Sequence, residues 1–134
     1  MRAKFAVLVA GAGLLLAAAP MFAHHSFAAQ FDWKQGITLK GVVRKVEWTN
    51  PHMYFWLDVK DEKGKVVSWI LEAGGPNSLT RRGWNRDSLK VGDRIAVIGY
   101  RAKGGSAVAS ARTVEMANGR KVFVGADNDG GPRF

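Results

Sequence analysis

The sequence predicts an all-β fold with one short helix, in the form of a five- or six-stranded OB-fold-like Greek-key barrel. Three observations carry this. Apolar and polar residues alternate from Met53 to Lys60; the chain returns through Asp61-Glu62-Lys63-Gly64 as a second strand from Val66 to Glu72; and the one helical signal falls between that strand and the next. A small antiparallel sandwich or another open barrel is the competing architecture.

Each element follows from local chemistry. Ile37 to Trp48 is rich in Val, Leu and Thr, and Gly41 inside it marks a bulge at which the inward face switches. In the next strand Met53, Phe55, Leu57 and Val59 share one face, while Tyr54, Trp56, Asp58 and Lys60 share the other. Val67, Trp69 and Leu71 form the inward face of the returning strand, which ends at Gly74-Gly75-Pro76. Pro76 or Asn77 opens a helix of about two turns that Gly83 stops. Leu89-Lys90-Val91-Gly92-Asp93 leads into a strand from Arg94 to Arg101, and Gly104-Gly105 turns it into a long strand from Ala107 to Met116. Asn118-Gly119 is a tight-turn dipeptide allowing a last short strand, Lys121 to Gly125.

The first 23 residues read as a secretory signal peptide. Arg2 and Lys4 make a basic start, Phe5 to Ala19 an apolar run, and Pro20-Met21-Phe22-Ala23 a break ending in a small residue. That run is shorter than the roughly 20 residues needed to span a bilayer, so the mature chain is expected to have no membrane span. Cleavage after Ala23 leaves 111 of the 134 residues, enough for one domain. The expected division is signal peptide 1–23, N-terminal arm 24–36, barrel 37–125 and disordered tail 126–134. With no cysteine, there is neither a disulfide nor a cysteine to carry a lipid, and a periplasmic or secreted protein is expected.

The full chain carries a net charge of +9; without Arg2 and Lys4 the balance is 18 basic to 11 acidic residues, or +7. Such a balance suits an anionic partner such as an acidic glycan or membrane surface, or simply a solvated surface. Export disfavours nucleic acid. No G-x-S-x-G elbow, Walker motif or dinucleotide glycine motif is present, and without cysteine there is no thiol nucleophile. Acid–base pairs of Glu47 or Glu72 with Asp58 compete with the plainer role of solvated strand carboxylates. A copper oxygenase is conceivable from the amino-terminal histidine of the mature chain, but nothing else in the sequence asks for catalysis.

Histidine is the residue type that stands out. All three fall in two places: His24-His25 at the expected mature start, and His52 in Trp48-Thr49-Asn50-Pro51-His52 at the entrance to the second strand. A His24 with a free α-amine offers two nitrogens to one metal ion, and a third from His25 or His52 makes a nitrogen site suited to Cu(II), with Zn(II) and Ni(II) as competitors. This is similar to the histidine brace of exported copper proteins. Pro51 stiffens the loop that aims His52. Cleavage before Ala23 instead would create Ala-His-His, a different square-planar motif that needs no His52. Against metal binding, His52 has a structural use as a loop hydrogen-bonder and His24-His25 as a polar start.

Aromatic residues offer a second kind of site. Tyr54 and Trp56 lie opposite the core face of their strand, where exposed rings of such barrels stack on ligands. Trp48, Trp69 and Trp84 are expected to wrap the barrel. Arg81 and Arg82 suit an anion-binding corner or, more simply, the cap of a helix C-terminus, where the dipole favours positive charge.

Ala23-His24-His25-Ser26-Phe27-Ala28-Ala29-Gln30-Phe31-Asp32, Leu39-Lys40-Gly41, Val46-Glu47-Trp48-Thr49-Asn50-Pro51-His52, Leu79-Thr80-Arg81-Arg82-Gly83-Trp84 and Leu89-Lys90-Val91-Gly92-Asp93 together resemble a family of small exported bacterial proteins of uncharacterised function. The resemblance spans nearly the whole mature chain and departs at Gln30, where such proteins often carry an acid. It implies export and a strand-rich fold, and it supplies no activity. Two functions are therefore expected to compete. One is metal binding, copper foremost, through His24, His25 and His52. The other is a metal-independent module that takes an envelope protein, a glycan or another anionic ligand on Tyr54, Trp56, Arg81 and Arg82.

Overall fold

A computed structural model describes residues 26–133. The chain forms α1 (Phe27–Gln30), β1 (Phe31–Glu47), β2 (Tyr54–Lys60), β3 (Val66–Glu72), α2 (Pro76–Arg81), β4 (Arg94–Ala102), β5 (Val108–Glu115) and β6 (Lys121–Phe123). The sheet order is β3-β2-β1-β4-β5-β6, and a further parallel pairing of β3 with β5 closes the first five strands into a barrel. All other pairings are antiparallel. The all-β, barrel-like class expected from the sequence is the one observed.

Closure depends on β1, whose 17 residues serve two neighbours in turn. Gly36 to Val42 pair with β4, and Val42 to Glu47 pair with β2. The bulge expected at Gly41 lies further on, where the register with β2 shifts between Val43 and Lys45. Gly41 instead permits a close approach. A Cβ there would stand 2.2 Å from the Asp58 carbonyl oxygen, so only glycine lets the two backbones cross at this distance.

The core lies inside this circuit. Met53, Phe55 and Leu57 are fully buried, as the alternation of their strand requires, and they meet Val43, Leu71, Val97, Ala109, Ala111 and Val114. Removing side chains of this size from water contributes about 1.5–3 kcal/mol each. Helix α2 begins with Pro76 in its first turn, where a missing N–H costs nothing, and seals the barrel with the buried Leu79. Trp84 is fully buried behind it, and Trp48 and Trp69 pack against the core from its edge.

Two departures occur at the chain ends. Strand β1 starts at Phe31, six residues before Ile37, so much of the expected arm is barrel strand. Its first turn is held by a small second core of Phe27, Phe31 and Tyr100. The tail from Ala126, expected to be disordered, is pinned by its acids: Asp127 accepts from Ser78, Arg81, Arg82 and Arg133, and Asp129 pairs with Arg112. The Ser78 hydrogen bond, reinforced by the arginine charges, holds the Asp127 carboxyl below its usual range. No helix among the described residues is long and apolar enough to cross a membrane.

Candidate functional site

His52 follows β1 and a loop whose Asn50–Pro51 peptide is cis. Local contacts fix this loop. The Thr49 hydroxyl donates to the His52 carbonyl at 3.1 Å, and Gly75 lies so close to Pro51 that a Cβ would come within 2.6 Å of the Pro51 carbonyl oxygen. Beyond the formal end of the hairpin, Met53 N donates to Gly74 O at 3.1 Å and Ala73 N to Met53 O at 2.8 Å. These bonds carry the β2–β3 ladder past His52 and place the Ala73 carbonyl beside its ring.

His52 Nδ1 lies 3.1 Å from Ala73 O. A carbonyl only accepts, so the proton of the neutral ring belongs on Nδ1, and Nε2 is left with an open lone pair. That nitrogen faces Glu72 Oε1 at 3.6 Å, beyond hydrogen-bond length. The other oxygen, Oε2, accepts from the Tyr54 hydroxyl at 3.2 Å. Tyr54 and Glu72 are direct cross-strand partners, and the Tyr54 and His52 rings meet edge-on with centroids 6.5 Å apart. Burial, joined by the neighbouring Glu72 charge and hydrogen bond, pushes the Tyr54 pKa up to about 12, so the phenol stays a donor.

Glu72 also touches the closing seam of the barrel, where it pairs with Ser110 of β5. Two residues on along β5 is Arg112, at the point where the register with β4 shifts. Its side chain is 0% exposed. Its guanidinium lies 4.4 Å from the Phe27 ring centroid and 2.9 Å from Asp129 Oδ2, and the Phe27 amide donates to the Asp129 carbonyl at 3.0 Å. The segment that follows His24-His25 is thus anchored on the strand adjoining Glu72. His24 and His25 themselves, and the signal peptide, lie outside the described residues.

The remaining candidates separate into two places. Trp56 faces outward beside Lys45, whose ammonium sits 4.5 Å from the ring centroid, in a shallow groove of about 420 Å³ lined with Arg44, Ser68 and Ile70. Tyr54 belongs to the His52 corner. Arg81 and Arg82 lie elsewhere, and the anion they grip is Asp127 of the same chain; Arg82 also bonds the Gly125 carbonyl at 2.8 Å and stacks over Phe123. A larger concavity, about 690 Å³ around Lys40, Lys60, Val66 and Arg94, contains none of these residues.

Sequence reasoning passed over Glu72 as a partner for His52. Its signal was available: from a turn that pairs Lys60 with Val66, counting back along both strands sets Tyr54 opposite Glu72. Arg112 carried no such mark. Among the described residues no three His, Cys, Asp or Glu side chains converge, and His52 with Glu72 forms a pair.

The fold and corner define a small closed β-barrel that carries an outward histidine–carboxylate pair at the mouth of one hairpin. The chain belongs to the Family of unknown function (DUF6152), whose model matches residues 12–111. No curated protein and no solved structure matches it.

Proposed function

We propose that this is an exported, periplasmic or secreted metal-binding protein, with copper as its foremost ion and zinc or nickel as competitors, and with His24, His25 and His52 as ligands. The observation that carries the reading is the state of His52: Nδ1 is spent on the Ala73 carbonyl, and Nε2 is open and partly exposed. This is how metal-binding histidines are commonly oriented, with one nitrogen held by a backbone carbonyl and the other free for the ion. The anchored Phe27 supports a share for the amino terminus. The strand circuit β1-β2-β3-β5-β4, with a helix between β3 and β4, supports classing the barrel as an OB-fold.

The test is to purify the exported protein with its authentic amino terminus, establish its first residue by intact mass, and titrate Cu(II) while recording heats and spectra. A site that weakens at least tenfold in His52→Ala is expected. Absence of a tight site, or equal affinity in His52→Ala, would sink the reading. The groove at Trp56 favours a second function, capture of an anionic envelope glycan by a stacked ring beside Lys45 and Arg44. It requires that Trp56→Ala lose retention on an acidic polysaccharide matrix while His52→Ala keeps it.

A further inference from the structure

The carboxylate opposite His52 adds a donor that the three histidines do not supply. We propose that Glu72 is itself a metal ligand, binding through Oε1 to the same ion as His52 Nε2, and that Tyr54 is the positioning residue that holds the carboxylate for it. This rests on the metal-binding reading above and extends it to a mixed nitrogen–oxygen donor set.

Geometry separates this role from that of a simple ion pair. Donor atoms about 2.1 Å from one ion lie about 3.4 Å apart when the angle between them is tetrahedral, and about 3.0 Å apart when it is a right angle. The observed Nε2 to Oε1 separation of 3.6 Å is near the tetrahedral value and too long for a hydrogen bond. Both side chains are held from behind. His52 is fixed by Ala73 O, and Glu72 by the Tyr54 hydroxyl on Oε2, so the two inner donor atoms face each other and no further partner occupies either among the described residues. A residue held on its outer atom with its inner one open is the arrangement that second-layer hydrogen bonds produce around metal ions. The hairpin register makes this reproducible, because Tyr54 and Glu72 are directly paired across rigid strands.

A carboxylate in the set has a chemical consequence. Oxygen donors favour divalent ions over soft Cu(I), so the corner is suited to Cu(II) or Zn(II), and the negative charge offsets part of the charge of the ion.

The experiment titrates the protein beginning at His24 with Cu(II) and, separately, Zn(II), as wild type, Glu72→Gln, Tyr54→Phe and His52→Ala. Glu72→Gln is expected to weaken both ions at least tenfold and to change the Cu(II) electron paramagnetic resonance spectrum by loss of an oxygen donor. Tyr54→Phe is expected to weaken them by about tenfold while keeping the donor set, the range seen when groups orienting a ligand are removed. Thermal unfolding without metal separates these effects from damage to the fold, and Tyr54→Phe, which deletes one outward oxygen, carries the test if Glu72→Gln does not fold. Wild-type affinity and spectrum in both variants, with loss in His52→Ala, would overturn the role of Glu72 and leave the metal-binding reading standing. Failure of the wild type to take up either ion, or indifference to His52→Ala, would overturn both.

Discussion

The Glu72–His52 corner and the Arg112–Asp129 clasp each set a carboxylate against a nitrogen side chain, and β5 serves both, pairing Ser110 with Glu72 and carrying Arg112. They are built in opposite ways. In the corner both side chains keep some exposure, 31% for His52 and 21% for Glu72, and a 3.6 Å gap separates their nearest atoms. In the clasp Arg112 is wholly covered, lies within 2.9 Å of its carboxylate, and is roofed by the Phe27 ring; its Nη2 donates to Asp129 Oδ1 at 3.1 Å. A charge removed from water must be matched on the spot, and in the clasp the Asp129 carboxylate supplies that match. The corner has retained an open pair of donors. The buried pair therefore secures the chain ends, whereas the half-open pair is the one available for chemistry.

If the two regions differ in this way, the same kind of mutation has different consequences in each. Asp129→Ala leaves Arg112 buried without its counter-ion, and a loss of about 3–5 kcal/mol in urea unfolding is expected. Glu72→Gln, at a partly exposed pair, should shift stability by no more than about 1 kcal/mol. Equal losses at the two sites would erase the distinction between them.

Phe27→Ala connects the regions. It removes a buried ring that covers Arg112 and meets Phe31 and Tyr100, which is expected to destabilise the protein by about 2 kcal/mol. If the Phe27 anchor delivers the amino terminus to the corner, metal affinity should also fall in this variant although His52 and Glu72 are untouched. Titration at a temperature where the variant remains folded checks this; unchanged affinity would leave the terminus independent of the clasp.

The smallest expected effect is an alkaline one. The Tyr54 pKa is raised to about 12 in the folded chain, above its ordinary value near 10, so the folded state holds this proton more tightly than the unfolded state. Its contribution to stability is complete below pH 10 and is lost as the pH rises toward 12. Tyr54→Phe should therefore flatten that part of the pH–stability curve. An unchanged alkaline slope would mean that burial and the Glu72 carboxylate do not hold the proton on the phenol in solution.

Much of the corner is legible in the sequence, because its parts are local. Asn-Pro-His announces a fixed loop ahead of a strand, and the hairpin turn contains the register that joins Tyr54 to Glu72. The identity of the group facing His52 escapes because two lone carboxylates on strands look alike in sequence, and only the ladder beyond the strand ends turns Glu72 toward the ring. The clasp is illegible for a different reason. Arg112 sits in a strand of small residues, and its burial requires Phe27 from one end of the chain and Asp129 from the other. The aspartates of the tail look like ordinary markers of a loose end, since their arginine partners other than Arg133 lie between 17 and 46 residues away.

Local patterns in the chain were enough for the strands, the inward set of Met53, Phe55 and Leu57, the helix between β3 and β4, and the hairpin that carries the candidate site. These follow from the two-residue period of the strand backbone and the turn preferences of glycine, proline and asparagine, which act over a few residues. Long-range packing decided where β1 changes partners, that β3 and β5 close the barrel side by side, and that Phe27 and Asp129 meet on Arg112. Those choices depend on which distant surfaces bury one another, a sum over the whole chain that no local pattern contains.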